Sequence, residues 1–281
     1  LARTYCGIVN PKMDEVIGKA NSMYASYYGR GTIPYGEGAP NANFHSANGK
    51  SAQAAIAFSV QPGNELEKTY YAKFAAAGAS ERGYGHGGPY VGQLWAALGA
   101  LRAGPDAASE HFGRMHWHLD LNRTWDKTFI FNSLYDRVDQ SNKDNPHNGL
   151  YMSTVAALTY AIPLHQTFLT GATLDNTVKL SSAESDEIAQ FDGYKASNLT
   201  TSELMDDLGT WSAVIRRKAA IELSRRTSEH DVIVPDLVAI VNDPKSDSRV
   251  GACEALGQIA DSSTASLMVD LFDDPDVDYG L

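Results

Sequence analysis

RRKAAIEL at residues 216–223 and RVGACEAL at residues 249–256 share one pattern, Arg-x-x-Ala-x-x-x-Leu, which returns after 33 residues. A second apolar segment follows each copy, and five of its positions correspond after a shift of 31: Leu237, Ile240, Val241, Asp243 and Pro244 match Met268, Leu271, Phe272, Asp274 and Pro275. Spacings of three and four place the apolar residues on one helical face, and the Asp-Pro pair ends each second helix. Each copy therefore predicts a helical hairpin, which buries its apolar stripe only by stacking on a neighbour.

The repeated hairpins resemble the HEAT and armadillo-like repeat family, down to the Arg after the inter-repeat turn and the Leu256-Gly257 pair. The resemblance covers residues 212–281 and implies an α-solenoid, an architecture used mostly for protein contacts. Two roles stay open, a partner-docking surface or two repeats that only cap the preceding domain. Thirteen acidic against seven basic residues in this region give a net charge of −6, so we expect a basic partner.

The N-terminal region alternates two kinds of predicted helix. Amphipathic stripes occupy residues 11–28, 64–79 and 106–121. Between them lie helices rich in alanine and introduced by glycine, at about residues 49–60, 89–103 and 149–161. An outer amphipathic layer around an inner layer of small residues resembles the terpenoid-cyclase-like α/α-toroid family, in pattern and without a catalytic motif. The sequence thus predicts an all-α protein, with a partial toroid in residues 1–165, a linker in 166–211 and HEAT-like repeats in 212–281.

Histidines stand just before the turn glycines of the three alanine-rich helices. The inner helices of a toroid run parallel, so their N-termini would meet at one rim and bring these histidines together. Helix N-termini offer free N–H groups and partial positive charge, which favour an anionic or hydroxyl-rich ligand. The alternative is that the histidines only bond the loop backbone. The predicted ligand-rim residues are Tyr35, Glu37, His45, Asn48, Tyr84, His86 and His147.

The rim residues would suit two kinds of glycan chemistry. Histidine, tyrosine and asparagine together could abstract a proton in a polysaccharide lyase, whereas Glu37 with Asp120 or Asp126 could serve a glycosidase. His116, His118 and Asp120 could hold a metal on a strand, but on the predicted helix only the first and last share a face, so we predict no metal site. Without a phosphate-binding loop or a serine nucleophile elbow, we predict no cofactor.

Charge and composition narrow the function classes further. A net charge of −11 and a pI near 5.1 work against binding nucleic acid, whose affinity comes largely from Lys and Arg. Cys6 and Cys253 are too few for a disulfide framework, and no apolar run is long enough for a membrane span. Because the chain starts without Met and stops within a repeat, we expect a piece of a longer protein. The favoured interpretation is a non-catalytic binding or scaffold module, with a glycan-acting enzyme as the alternative.

Overall fold

The fold is described from a computed structural model that covers residues 2–34, 36, 40, 49–79, 92–130, 148–162 and 178–271. The all-α prediction is confirmed, since the described residues contain no β-strand and only isolated bridge residues, among them the pair Arg123 and Phe129. The chain divides into two compact units, Leu1–Gly193 and Tyr194–Leu281. The described helices are α1 (Ala2–Tyr5), α2 (Pro11–Ala25), α3 (Lys50–Ser59), α4 (Glu65–Ala76), α5 (Gln93–Ala100), α6 (Pro105–Leu121), α7 (Asn148–Ala161), α8 (Ser182–Gln190), α9 (Thr201–Asp207), α10 (Ala213–Arg225), α11 (His230–Asn242), α12 (Arg249–Ile259) and α13 (Ala265–Asp270).

Small residues let the helices of the first unit approach closely. Helix α5 packs against α3, α4, α6 and α7, and α3 packs against α4. A methyl group at Gly99 would lie 2.6 Å from the Cβ of Ala75 and 2.9 Å from the Cβ of Ala52, so three helices meet where no side chain fits. Helix α5 is thus central among the described helices of this unit. The closure of the alanine-rich helices into a toroid stays a prediction.

Helix α4 corrects the predicted division into outer and inner helices. The sequence predicts an outer amphipathic helix over residues 64–79, yet residues 70–76 are buried except for Lys73, which is half-buried. Tyr71 stacks on Phe58 of α3 with ring centroids 5.7 Å apart. The prediction of an outer helix was wrong because even its lysine is packed: Lys73 pairs with Glu184 of α8 at 2.9 Å, with its aliphatic stem packed.

Arg114 of α6 ties the C-terminal ends of two other helices together. Its guanidinium donates to the Ala76 carbonyl at 3.3 Å, to the Ala189 carbonyl at 3.2 Å and to the Asp192 carboxylate at 2.7 Å. The last carbonyls of a helix lack partners within the helix and carry partial negative charge, and the half-buried guanidinium of Arg114 bonds to them. Helix α8 is held against α6 and α4 in this way.

The second unit is an array of stacked hairpins with one apolar core. Leu223 of α10 and Leu256 of α12 are almost fully buried in it, which confirms the predicted repeat register. The repeated arginines are buried as well, because each one bonds the end of the preceding segment. Arg216 donates to the Thr210 carbonyl at 2.7 Å, and Arg249 donates to the Val241 carbonyl at 2.9 Å.

Helix α9 precedes the repeats and packs against α10. Its N-cap is Thr200, whose hydroxyl and backbone form a capping box with Glu203. The end of the helix comes very close to α12, where a methyl group at Gly251 would lie 2.4 Å from the Leu208 carbonyl oxygen. A glycine is therefore required at this contact.

Candidate functional site

The predicted ligand rim lies outside the described residues. This holds for all seven of its members, Tyr35, Glu37, His45, Asn48, Tyr84, His86 and His147. One neighbouring feature is described: Gly49, the turn glycine before α3, has a φ of 68°, a left-handed conformation that favours glycine. The convergence of the three histidines, and with it the glycan-acting alternative, stays a prediction.

A different cluster of polar side chains does come together in the first unit. Asp120 of α6 accepts a hydrogen bond from the Tyr160 hydroxyl of α7 at 2.7 Å, and its other oxygen lies 3.1 Å from Nδ1 of His116. His116 and Asp120 share a helical face, as predicted. His118 lies on the buried side, with its ring 3.2 Å from the Asn122 side chain, and burial lowers its pKa.

This cluster is suited to binding rather than to proton transfer by the tyrosine. Burial, followed by the bond to Asp120, raises the pKa of Tyr160 to about 12, so the phenol stays protonated at neutral pH. The side chain of His116 is 63% exposed and that of Asp120 is 50% exposed, so both can contact a ligand. Within the described residues no group of three His, Cys, Asp or Glu side chains could hold a metal ion.

No sequence pattern indicates that Tyr160 is a partner of Asp120. The two residues are forty positions apart, and the tyrosine lies near the end of a helix whose only distinguishing feature is its small residues. Only the packing of the helices brings its hydroxyl to α6. The pair is a tertiary feature that helical periodicity cannot predict.

The second unit presents one continuous exposed face on α11. Its exposed residues fall at spacings of one, three and four, which is a single stripe of a helix, and we call this stripe the α11 face: Asp231, Val232, Pro235, Asp236 and Ala239. The opposite side carries Ile233, Leu237 and Val241 into the core. The face combines small apolar groups with two carboxylates and contains no basic residue.

Basic residues of the second unit are largely committed to contacts within it. Arg217 of α10 pairs with Glu254 of α12 at 2.9 Å, and burial raises the pKa of that glutamate despite the cation beside it. Arg226 donates to the Thr201 hydroxyl at 2.7 Å. Together with the buried Arg216 and Arg249, these residues hold the array together and do not offset the acidic surface of α11.

Comparison with known protein families gives two matches. The family described as a domain of unknown function (DUF6288) matches residues 1–171, and HEAT repeats match residues 201–280. No curated protein and no solved structure matches the chain. Among the helices that the structure describes, none is long and apolar enough to cross a membrane.

Proposed function

We propose that this chain, which belongs to the DUF6288 family, is a non-catalytic binding module whose HEAT repeats dock another protein. The α11 face carries the proposal. The partner that fits it is a basic segment with apolar side chains, because the face pairs carboxylates with small apolar groups. HEAT arrays as a class use such helical faces for protein contacts.

The composition of the α11 face supports a protein partner. Val232 is 61% exposed and stands between Asp231 and Pro235, so apolar surface is available beside charge. An amphipathic helix laid across a helical face binds through apolar anchors, while charges at the rim set orientation and association rate. A partner with lysine or arginine beside its apolar anchors would contact both the apolar groups and the carboxylates of the α11 face.

The α11 face lies over a packed core, which limits the conformational entropy that this surface loses on binding. Beneath the face, Ile233, Leu237 and Val241 are buried in a core shared with α10 and α12. A surface held by such a core is already ordered before the partner arrives, which lowers the cost of association. The acidic balance of the region also argues against nucleic acid as the partner.

A direct test uses the full chain and a synthetic helical peptide of lysine and leucine as the probe. Reversing two charges of the α11 face, with Asp231→Lys and Asp236→Lys together, should weaken binding of the peptide by at least about tenfold, or about 1.4 kcal/mol. Isothermal titration calorimetry at moderate and high salt measures the loss, and circular dichroism checks that the helices are retained.

The matched control is Asp206→Lys with Asp247→Lys, which reverses two exposed carboxylates of the same unit outside α11. Both double variants change the net charge by the same amount, so a general attraction to an acidic protein would be weakened equally by each. Equal losses in the two variants, or no binding of the peptide to the unaltered chain, would refute a docking site on α11.

A further inference from the structure

Two exposed tryptophans flank the cluster of His116, Asp120 and Tyr160 in the first unit. Trp117 follows His116 directly on α6 and is 49% exposed, and Trp125 lies in the turn after the helix and is 96% exposed. Tryptophan is enriched at protein interfaces, because its ring is apolar while its N–H can bond a polar partner. Neither ring contributes to the core.

The turn that carries Trp125 is held by its own hydrogen bonds. The Thr124 amide donates to the Thr128 carbonyl at 2.9 Å, and the Asp126 carboxylate accepts from the Thr128 hydroxyl at 2.7 Å and from the Thr124 hydroxyl. These bonds lower the pKa of Asp126. The indole is thus presented by an ordered turn, which reduces the entropy lost when a ligand stacks on it.

The same turn is fixed against the polar cluster. The Phe129 amide donates to the Ser153 hydroxyl of α7 at 2.9 Å, and the Phe129 ring lies 6.2 Å from the ring of Tyr160. The Ile130 amide donates to the Asn122 carbonyl at 2.9 Å, which closes the turn at the end of α6. The turn that carries Trp125 is therefore joined through Phe129 to Tyr160, the partner of Asp120, and through Ile130 to the end of α6.

The charges of this surface are balanced. Two carboxylates, Asp120 and Asp126, stand with two cations, Arg123 and Lys127, in the same stretch of chain. An anionic membrane, a nucleic acid or a polyuronate would require an excess of cations. The balance favours a neutral ligand that has both hydroxyl groups and an apolar face.

Neutral pyranose rings have that chemistry. Their C–H face stacks on an indole, and their hydroxyls both donate and accept hydrogen bonds. The Asp120 carboxylate keeps acceptor capacity beyond its bonds to Tyr160 and His116, since its two oxygens offer about four lone-pair sites. The second ring nitrogen of His116 can bond a further hydroxyl.

We infer that the end of α6 and the turn after it form a binding site for neutral oligosaccharides, with Trp125 and Trp117 as stacking platforms and Asp120 as the hydroxyl acceptor. None of its residues belongs to the predicted ligand rim or to the α11 face. The site would give a scaffold protein attachment to a glycan.

The inference is tested by tryptophan fluorescence titration of the full chain with cellohexaose, maltohexaose, mannohexaose and the hexamer of N-acetylglucosamine. At least one should bind, and Trp125→Ala and Asp120→Asn should each weaken it by about tenfold. Leu66→Ala, which truncates an equally prominent exposed side chain elsewhere in the unit, should leave binding unchanged. Circular dichroism confirms folding of each variant, and calorimetry replaces fluorescence for Trp125→Ala.

Two outcomes would overturn the inference. One is that none of the four hexasaccharides binds at millimolar concentration, or that binding is the same in Trp125→Ala and Asp120→Asn. The other is that the unaltered chain binds phosphatidylcholine vesicles through Trp125 and binds no hexasaccharide, which would assign the indoles to a lipid surface. The variant with Asp231→Lys and Asp236→Lys should bind the saccharide normally, so the peptide site and the glycan site are tested separately.

Discussion

Gly251 of α12 provides a sharp test of how the repeat unit is packed. A methyl group at this position would lie 2.4 Å from the Leu208 carbonyl oxygen and 2.8 Å from the Leu208 Cβ, both held by helix α9. Overpacking a core typically costs about 1–3 kcal/mol. Because the nearest atom belongs to the backbone and cannot easily move aside, we expect Gly251→Ala to cost about 3 kcal/mol, the upper end of that range. Alanine's better helix propensity returns about 1 kcal/mol, which leaves a net loss of about 2 kcal/mol.

Gly257 in the same helix is the matched control for this change. A methyl group there meets nothing within 4 Å, and the residue is exposed, so Gly257→Ala should stabilise the unit by up to about 1 kcal/mol. Hydrogen exchange of amides in α10 and α12 reports the opening of this unit alone. We expect exchange about thirtyfold faster in Gly251→Ala and up to about fivefold slower in Gly257→Ala. The same sign of change in both variants would refute the close packing of α9 on α12.

Three further changes have defined outcomes. Leu223→Ala, in the core of the second unit, should lower the free energy of unfolding by about 2–5 kcal/mol in urea titration, and a loss below about 1 kcal/mol would contradict its burial. Gly99→Ala should destabilise the first unit by about 1–3 kcal/mol, whereas Gly113→Ala, where a methyl group meets nothing, should not. The Ser181 backbone, and then Lys73, lower the pKa of Glu184 to about 2, so its stabilisation is present above about pH 4.5 and is lost as pH falls towards 2. Glu184→Gln should make the melting temperature depend less on pH between about 4.5 and 2. An unchanged pH dependence of the melting temperature would contradict the pairing of Glu184 with Lys73.

Helix positions were largely predictable from the sequence because local rules decide them. The alanine-rich segments became α3, α5 and α7 within a few residues of their predicted limits, and the repeat register placed Leu223 and Leu256 in one core. Helical periodicity and turn residues are properties of one helix at a time, so they predict helix positions without knowledge of the tertiary fold.

What the sequence did not predict depends on contacts between distant segments. Helix α4 was predicted to be an outer amphipathic helix, but its Lys73 pairs with Glu184, which lies more than a hundred residues further along the chain. Likewise, Tyr160 meets Asp120 only through the packing of α7. The family match to HEAT repeats supports the C-terminal architecture, while the predicted ligand rim and the toroid remain expectations from pattern.

Docking of a basic, apolar segment through the α11 face can be followed by hydrogen exchange of the full chain, with and without the lysine and leucine peptide. Bound peptide should slow exchange in residues 230–242, and Asp231→Lys with Asp236→Lys should abolish this protection. Protection elsewhere in the chain, with none in residues 230–242, would show that the peptide does not dock on the α11 face.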